Sequence, residues 1–339
     1  MPFSKAMLGL RPRLRYDVAR ALLDEEHDNP FTPRGDPNSY TVGRIGGYNV
    51  VIVKSIRTGS AATRTAAIHI FRTFNNIRFG LLVGIGGGAA DAPGSYDPGN
   101  STTDILLGDV VVSKPEGNHG GVLHPPDHLI SAVDQLSRDH GFKRGNMAEY
   151  IMEAQSKLEA LGMSYYHFPG RHQDILFKSE YNQGHCRSCD SAEIARTLAP
   201  RNDPLVHRGL IASGNTDCWD AEMRDTMRRD YNAIYFDTEE ATLMNNFPCL
   251  AIRGVSDYAD SHKNRLWQPY AALTATAYAK DLLGLIEPQE IVGAGTALTE
   301  CTSNPRLHGG GAREDRMLLY PLSDSSTVLG GYVNVAREV

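Results

Sequence analysis

Short apolar runs alternate along the chain with segments whose apolar residues recur at helical spacing. The runs are rich in Val, Ile and Leu and end in Gly, Asn or Asp, as buried strands do. The predicted strands are residues 48–53, 79–88, 104–113, 210–215 and 250–255. The predicted helices are residues 15–27, 61–74, 147–161, 221–230 and 270–283. This alternation predicts an α/β domain with a sheet covered by helices on both faces.

The last part of the sequence has a different character. Residues 286–339 include the run Gly309-Gly310-Gly311 and show little helical periodicity. We therefore expect two parts, a domain over residues 1–285 and a C-terminal extension of unknown role over residues 286–339.

Composition limits the possible partners. Hydrophobic residues make up 41% of the chain and the formal net charge is -6, so a general polyanion-binding surface is not expected. No apolar run approaches the ~20 residues that span a bilayer, and the first residues do not resemble a signal peptide. We expect a cytoplasmic protein that binds neither nucleic acid nor a membrane.

The cysteines do not predict a disulfide framework or a metal centre. There are five, an odd number in a chain of this length. His185-Cys186-Arg187-Ser188-Cys189 contains one CxxC pair, which is half of a typical zinc site, and no second pair follows. We expect no metal and no cofactor.

Three predicted strands end in small or polar residues. They are VGIGGG at residues 83–88, ASGN at 212–215 and RGVSD at 253–257. Ligands of open α/β sheets bind at the carboxyl ends of strands, so these ends are expected to line one pocket. The glycine run does not match GxGxxG with its following acid, which argues against a dinucleotide site.

Five motifs, taken in order, resemble one family. LVGIGGG, LLGDVVVS, GLIASGN, FDTEEATLM and IRGVSDYADSHKN are similar to segments of the purine and uridine phosphorylase superfamily, which includes nucleosidases. The resemblance covers residues 15–285 and is closer to the fungal branch, whose domains often precede signalling or repeat modules. It implies a three-layer α/β/α sandwich on a central mixed β-sheet, usually in a homo-oligomer, that cleaves the bond between ribose and a base.

The resemblance also implies roles for three residues in two of these motifs. Asp257 matches the acid that protonates or hydrogen-bonds N7 of a purine, and Ser256 precedes it as in the nucleosidases. Glu239 matches the carboxylate that holds the ribose hydroxyls. Departure of a purine anion is difficult, so a carboxylic acid at N7 supplies general-acid catalysis, and a water-poor pocket would keep it protonated.

Several positions depart from the family pattern or remain open. Thr238 stands where many relatives have a Met under the ribose, and Asn215 stands where adenine-specific nucleosidases have an acid. Leu82 and Ile85 match the positions at which phosphorylases bind phosphate, and neither side chain binds an oxyanion. The backbone N–H groups of Gly86 and Gly87 remain able to form an anion nest.

The apolar side chains of Leu82 and Ile85 favour water as the nucleophile, whereas the N-terminal arginines favour phosphate. Hydrolytic relatives carry a water-activating Glu on the first strand-to-helix turn, and Arg15 occupies that place. Arg15 and Arg11 are candidates to bind a substrate phosphate, or they begin a solvated basic helix. Trp219 and Tyr258 are candidates to stack on a base, with ordinary packing as the alternative, and His119 and His124 are weaker candidates for ligand contact.

These residues predict a purine nucleoside or nucleotide N-glycosidase that releases a free base by hydrolysis. One alternative is a phosphate-dependent nucleoside phosphorylase. The other is a non-catalytic or repurposed homologue that binds nucleotides.

Overall fold

The fold was determined as a computed structural model. It describes residues 5–10, 12–28, 34–54, 68–74, 76–90, 104–114, 125–142, 145–181, 190, 192, 194–196, 201–214, 220–237, 249–263, 265–286 and 334–335. All statements about structure below concern these residues.

The described elements are twelve strands, five α-helices and three single turns of 3-10 helix. The strands are β1 (Lys5–Leu10), β2 (Glu25–His27), β3 (Ser39–Ile45), β4 (Tyr48–Lys54), β5 (Ile77–Gly88), β6 (Val110–Ser113), β7 (Leu176–Phe177), β8 (Ile194–Arg196), β9 (Val206–Gly214), β10 (Ala233–Asp237), β11 (Cys249–Asp257) and β12 (Asn334–Val335). The helices are α1 (Pro12–Ala21), α2 (Asp127–Phe142), α3 (Met147–Ala160), α4 (Ala221–Tyr231) and α5 (Gln268–Leu285). The 3-10 turns are Ser164–Tyr166, Arg171–Gln173 and Arg265–Trp267, and residues 68–73 are also helical.

Ten of the strands form one mixed sheet in the order β10-β9-β6-β11-β5-β1-β4-β3-β2, with β12 beside β9. β5 runs parallel to β1 and β11, whereas β11 is antiparallel to β6. β10 also pairs with β5, so strands β5, β11, β6, β9 and β10 close into a ring. β7 and β8 form a separate two-stranded sheet.

The central strands are apolar because they are covered on both faces. Every residue of β11 is buried. The Ala-rich helix α5 lies against β11 and β5 and also contacts α1 and α3, which belong to the main hydrophobic core. Helix α4 contacts β10 and contributes Met227 to a second, separate apolar cluster that contains Phe236. The predicted α/β class, with a mixed sheet flanked by helices, is confirmed.

Several elements differ from the predictions. The helix predicted over residues 15–27 ends at Ala21, because Glu25–His27 pairs antiparallel with β3. The strand predicted over residues 104–113 is limited to Val110–Ser113, and residues 107–108 form a turn. Helix α2 was not predicted. Of the helix predicted at residues 61–74, residues 61–67 lie outside the described part.

Candidate active site

The ends of three strands meet at Gly87 of β5. β11 pairs with β5 in parallel, so that Asp257 lies opposite Gly87. β10 pairs with β5 on the other side in the antiparallel direction, so that Phe236 lies opposite the same glycine. The close approach requires a glycine, since a Cβ on Gly87 would lie 2.6 Å from the Cβ of Ala259. The predicted convergence of the GIGGG and RGVSD strand ends is therefore present.

A bulge directs the last side chain of β11. The register shifts between Val255 and Asp257, so Ser256 is the extra residue on that strand. The Ser256 hydroxyl lies 3.2 Å from the carbonyl oxygen of Gly86 and 3.1 Å from Oδ2 of Asp257. Ser256 thus connects the acid to the backbone of β5.

The turn after β11 holds the other carboxyl oxygen of Asp257. Ala259 adopts a φ of 52°, a left-handed conformation that is uncommon for a residue with a side chain. In this conformation its N–H donates to Oδ1 of Asp257 at 3.0 Å. Nζ of Lys263 lies 4.0 Å from the same Oδ1. The two oxygens of Asp257 therefore have different surroundings.

Burial dominates the electrostatics of Asp257. The residue is 7% exposed, and burial raises its pKa above the ordinary value of an aspartate because a charged carboxylate loses hydration there. Lys263, the Ala259 N–H and the Ser256 hydroxyl oppose this shift, whereas the charge of Asp260 adds to it. The net direction is upward, which favours the protonated acid.

A buried ion pair lies at the same edge and was not predicted. Nε of Arg253, on β11, is 2.8 Å from Oδ2 of Asp237, the last residue of β10. Nη1 of Arg253 also donates to the carbonyl oxygen of Leu82 at 3.1 Å, in the space that the missing side chain of Gly84 leaves. The signal in the sequence was an arginine inside an otherwise apolar strand, which must be paired when it is buried.

A buried polar network contacts Tyr258, the first residue after β11. The Tyr258 hydroxyl donates to Oδ1 of Asp174 at 2.5 Å, and Nη1 of Arg171 donates to Oδ2 of Asp174 at 2.8 Å. Nη1 of Arg224 donates to the Tyr258 carbonyl oxygen at 2.8 Å. Tyr258 is 2% exposed, and its ring belongs to the main hydrophobic core. Oδ1 of Asp260 accepts from the His262 N–H at 2.9 Å and caps the next turn.

The structure brings together four of the predicted site residues: Asp257, Ser256, Gly86 and Gly87. Arg15 belongs to helix α1, and its side chain lies outside the described part. The remaining predicted residues also lie outside it, namely Arg11, Asn215, Trp219, Thr238 and Glu239, together with His119, His124 and the CxxC segment. Glu239 follows two residues after Asp237 in the sequence.

A cleft lies at the opposite end of the sheet. It has a volume of about 670 Å³ and is lined by residues of β3 and β4, including Gly43, Arg44 and Asn49. Asn49 is in register with Lys5, and Lys5 with Ile77 at the start of β5, ten residues before Gly87. At 3.3 Å per residue the cleft lies roughly 30 Å from Asp257 along the strands. It contains none of the predicted site residues.

The described part of the chain contains no group of three or more His, Cys, Asp or Glu side chains suited to holding a metal ion. None of its helices is long and apolar enough to cross a membrane.

Comparison with solved structures shows the fold. Futalosine hydrolase of Helicobacter pylori strain 26695 superposes with a TM-score of 0.50 and 13% identity, over 84% of this chain and 98% of that one. The 5′-methylthioadenosine/S-adenosylhomocysteine nucleosidase of Colwellia psychrerythraea 34H, in complex with adenine, gives 0.50 and 17%, over 84% and 97%. The chain therefore has the nucleoside phosphorylase/nucleosidase fold.

A sequence relative adds a different context. A nucleotide-binding leucine-rich repeat (NLR)-like protein of Hyaloscypha variabilis is 36% identical over 299 residues, which covers 81% of this chain. The chain spans 28% of the length of that relative. No family model matches the sequence.

Proposed function

We propose that the chain is an N-glycosidase that hydrolyses the bond between a purine base and the ribose of a nucleoside or nucleotide. The observation that carries this proposal is Asp257, a carboxyl group 7% exposed at the meeting of three strand ends, whose pKa is raised by burial. A raised pKa favours the protonated form of the carboxyl group, which is the form that can donate a proton to a departing purine.

The surroundings of the two oxygens favour Oδ2 as the one that carries the proton. Oδ1 accepts from the Ala259 N–H and lies near the Lys263 ammonium group, and both stabilise an unprotonated oxygen. The Ser256 hydroxyl donates to Oδ2 at 3.1 Å when Asp257 is ionised and lies 3.2 Å from the Gly86 carbonyl oxygen. On protonation we propose that the first bond reverses, so that Oδ2–H donates to Ser256 Oγ and the Ser256 hydroxyl donates to the Gly86 carbonyl oxygen. When a purine binds, the same proton turns to N7 of the base.

The proposed reaction is hydrolysis of the N-glycosidic bond. The N-glycosidic bond breaks and its electron pair stays with the base, while Oδ2 of Asp257 gives its proton to N7. The sugar acquires oxocarbenium character. The oxygen of a water molecule then bonds to the anomeric carbon, the water loses one proton, and Asp257 regains one from solvent. The products are a free base and ribose, or ribose phosphate when the substrate is a nucleotide.

The ribose contacts in this proposal come from the family resemblance. We assign Glu239 to the ribose hydroxyls, Thr238 to the underside of the sugar, and Asn215 and Trp219 to the base. The Asp237–Arg253 ion pair supports the first two assignments, because it ties the residue just before Thr238 to the strand that carries Asp257. Arg11 and Arg15 are assigned to a substrate phosphate.

Water rather than phosphate is the proposed nucleophile. Leu82 is apolar and buried on β5, and Ile85 on the same strand is apolar as well. Arg253, a cation of β11 near this edge, is already paired with Asp237, so its charge is offset before any anion arrives. An anion nest formed by Gly86 and Gly87 is the arrangement that would favour phosphorolysis instead.

The sequence relative extends the proposal to the whole chain. The description of the relative as nucleotide-binding supports AMP and ATP as candidate substrates. Its greater length supports a catalytic module within a longer protein of the fungal branch. We propose that residues 1–285 form this module, that residues 286–339 follow it as an extension, and that the module works as a homo-oligomer in the cytoplasm.

Purified protein incubated with adenosine, inosine, guanosine, AMP and ATP, with and without phosphate, tests the proposal by chromatography of the released base. We expect release without phosphate. Release only with phosphate would identify a phosphorylase. Binding of one of these compounds with no release of base would identify a non-catalytic homologue.

A further inference from the structure

Lys263 lies beside the acid at the edge of the site. Its Nζ is 4.0 Å from Oδ1 of Asp257, and its side chain is 20% exposed, compared with 8% for the side chain of Asp257. Lys263 is not among the residues that the sequence predicts for the site. An ammonium group at this distance from a buried carboxyl group affects the balance between its two protonation states.

We propose that Lys263 is a positioning residue that fixes Oδ1 of Asp257 as the unprotonated oxygen and sets the upper pH limit at which Asp257 keeps its proton. This inference rests on the proposed function, since it concerns the same acid. Its physical basis is independent of any substrate, because Nζ of Lys263 lies 4.0 Å from Oδ1 of Asp257 in the structure of the protein alone.

The groups around Asp257 define how Lys263 acts. On the strand of the acid, Ser256 lies at Oδ2, and from β5 the Gly86 carbonyl oxygen contacts the Ser256 hydroxyl. From the following turn come the Ala259 N–H, the carboxylate of Asp260 and the ammonium of Lys263.

Three further charged groups lie at this edge or in contact with the turn, and Nδ1 of the titratable His262 lies 3.9 Å from Oδ2 of Asp260. From β10, Asp237 is already paired with Arg253 of β11. From α4, Arg224 holds the Tyr258 carbonyl oxygen and lies 3.9 Å from Asp260. Lys263 is therefore the cation that lowers the pKa of Asp257, and Asp260 is the carboxylate that raises it.

This arrangement predicts opposite effects for two substitutions. Lys263→Met removes the cation and should raise the pKa of Asp257 by about one pH unit, the lower end of the range for an opposite charge within 4–6 Å, because the lysine is partly hydrated. Asp260→Asn removes the carboxylate and should lower the same pKa, while its remaining amide oxygen still accepts from the His262 N–H.

The test is a carboxyl ¹³C NMR titration of the full chain, with the Asp257 resonance assigned by its loss in Asp257→Asn. We expect the midpoint to rise in Lys263→Met, to stay near the wild-type value in Lys263→Arg and to fall in Asp260→Asn. Lys157→Met is the matched control, because Lys157 pairs with Glu153 on α3. A midpoint that does not move in Lys263→Met, or that moves equally in Lys263→Arg or Lys157→Met, overturns the inference.

The pH dependence of base release distinguishes a failure of this inference from a failure of the proposed function. If the protein releases a base, the alkaline limb of kcat/KM should shift upward in Lys263→Met by the same amount as the NMR midpoint. An alkaline limb that stays in place while the midpoint moves rejects Asp257 as the acid but leaves the role of Lys263 intact. If no base is released from any substrate, the proposed function fails and the titration still decides the role of Lys263.

Discussion

The chemistry of Asp257 depends on two local features of the backbone. The bulge at Ser256 moves the acid out of the regular alternation of β11, and the left-handed conformation of Ala259 directs an N–H group at Oδ1. Burial then raises the pKa of the carboxyl group. Without the bulge and the turn, a carboxyl group at the end of this strand would lack the unequal oxygens that leave Oδ2 to carry the proton.

Gly87→Ala should disturb this geometry. The new Cβ would lie 2.6 Å from the Cβ of Ala259, so the turn that holds Oδ1 of Asp257 must shift. We expect overpacking to reduce the free energy of unfolding by about 1–3 kcal/mol and base release to decrease with it. Urea unfolding and the base-release assay measure the two effects.

Gly284→Ala is the control for the same change of residue. Gly284 lies near the end of α5, and a Cβ there would have no atom within 4 Å. Alanine in a helix is favoured over glycine by roughly 0.5–1 kcal/mol, so this variant should be at least as stable as the wild type. If Gly87→Ala and Gly284→Ala had the same free energy of unfolding, the close approach of Gly87 to Ala259 would not require a glycine.

The sequence predicted the residues of the acid site more fully than their partners. Asp257, Ser256, Gly86 and Gly87 follow from motifs that end neighbouring strands. The Asp237–Arg253 pair and the Lys263 contact were missed because each joins residues that are separated along the chain, and their distances depend on the register of β5, β10 and β11. No spacing rule in a single sequence gives that register.

At the scale of elements, helices α3, α4 and α5 begin and end within two residues of their predicted bounds, whereas helix α2 and strand β3 were not predicted. β11 extends through Asp257, two residues beyond the predicted end, because it continues to pair with β5 across the bulge. Helix α2 carries Leu129, Val133 and Leu136 at helical spacing on its buried side, and this is the signal that could have identified it. Glu25–His27 became a strand because pairing with β3 overrode its weak helical pattern.

Asp109 links the start of β6 to β9 and makes stability depend on pH. Burial raises its pKa, but hydrogen bonds from Arg201 and His207 outweigh burial and lower the pKa to about 2. An unfolded aspartate has a pKa of about 3.9, so the contribution is complete above about pH 4 and is lost as the pH falls toward about 2.

Asp109→Asn should therefore lower the free energy of unfolding by about 2 kcal/mol at pH 7. The difference from wild type should close as the pH falls through the native pKa of Asp109, because both chains then carry a neutral group there. Urea unfolding of both proteins across a pH series measures this difference in the free energy of unfolding. A difference that stays constant from pH 7 to strongly acidic conditions would show that Asp109 contributes no charge-dependent stability.

At the scale of the whole molecule, ring closure brings the two proposed halves of the site together. The β10–β5 pairing places Tyr235 and Phe236 opposite Gly88 and Gly87, although Tyr235 follows Gly88 by 147 positions in the sequence. Helices α1, α3 and α5 support the sheet from one side, and Lys280 connects them. Its Nζ donates to the Leu22 carbonyl oxygen at 3.0 Å, to Asp24 at 2.8 Å and to Glu153 at 3.2 Å.

Lys280→Met should weaken this connection. The Lys280 side chain is 7% exposed, whereas those of Asp24 and Glu153 are 38% and 34% exposed, so the two carboxylates remain partly hydrated after the change. We expect a loss of about 1–3 kcal/mol in the free energy of unfolding. Lys157→Met removes a half-exposed i,i+4 pair with Glu153 and a 3.3 Å hydrogen bond to the Leu23 carbonyl oxygen, and it should cost less than Lys280→Met because Lys157 is 44% exposed. A smaller effect at Lys280 than at Lys157 would contradict the role of Lys280.

The central claim is that Asp257 is the acid that protonates a departing purine, and Asp257→Asn tests it most directly. The amide matches the acid in shape and still offers an oxygen to the Ala259 N–H, so binding of a base should change little. Turnover, measured as base released without phosphate, should fall by about 10²–10⁴-fold, the usual contribution of a general acid. Turnover that survives unchanged in Asp257→Asn would contradict the account.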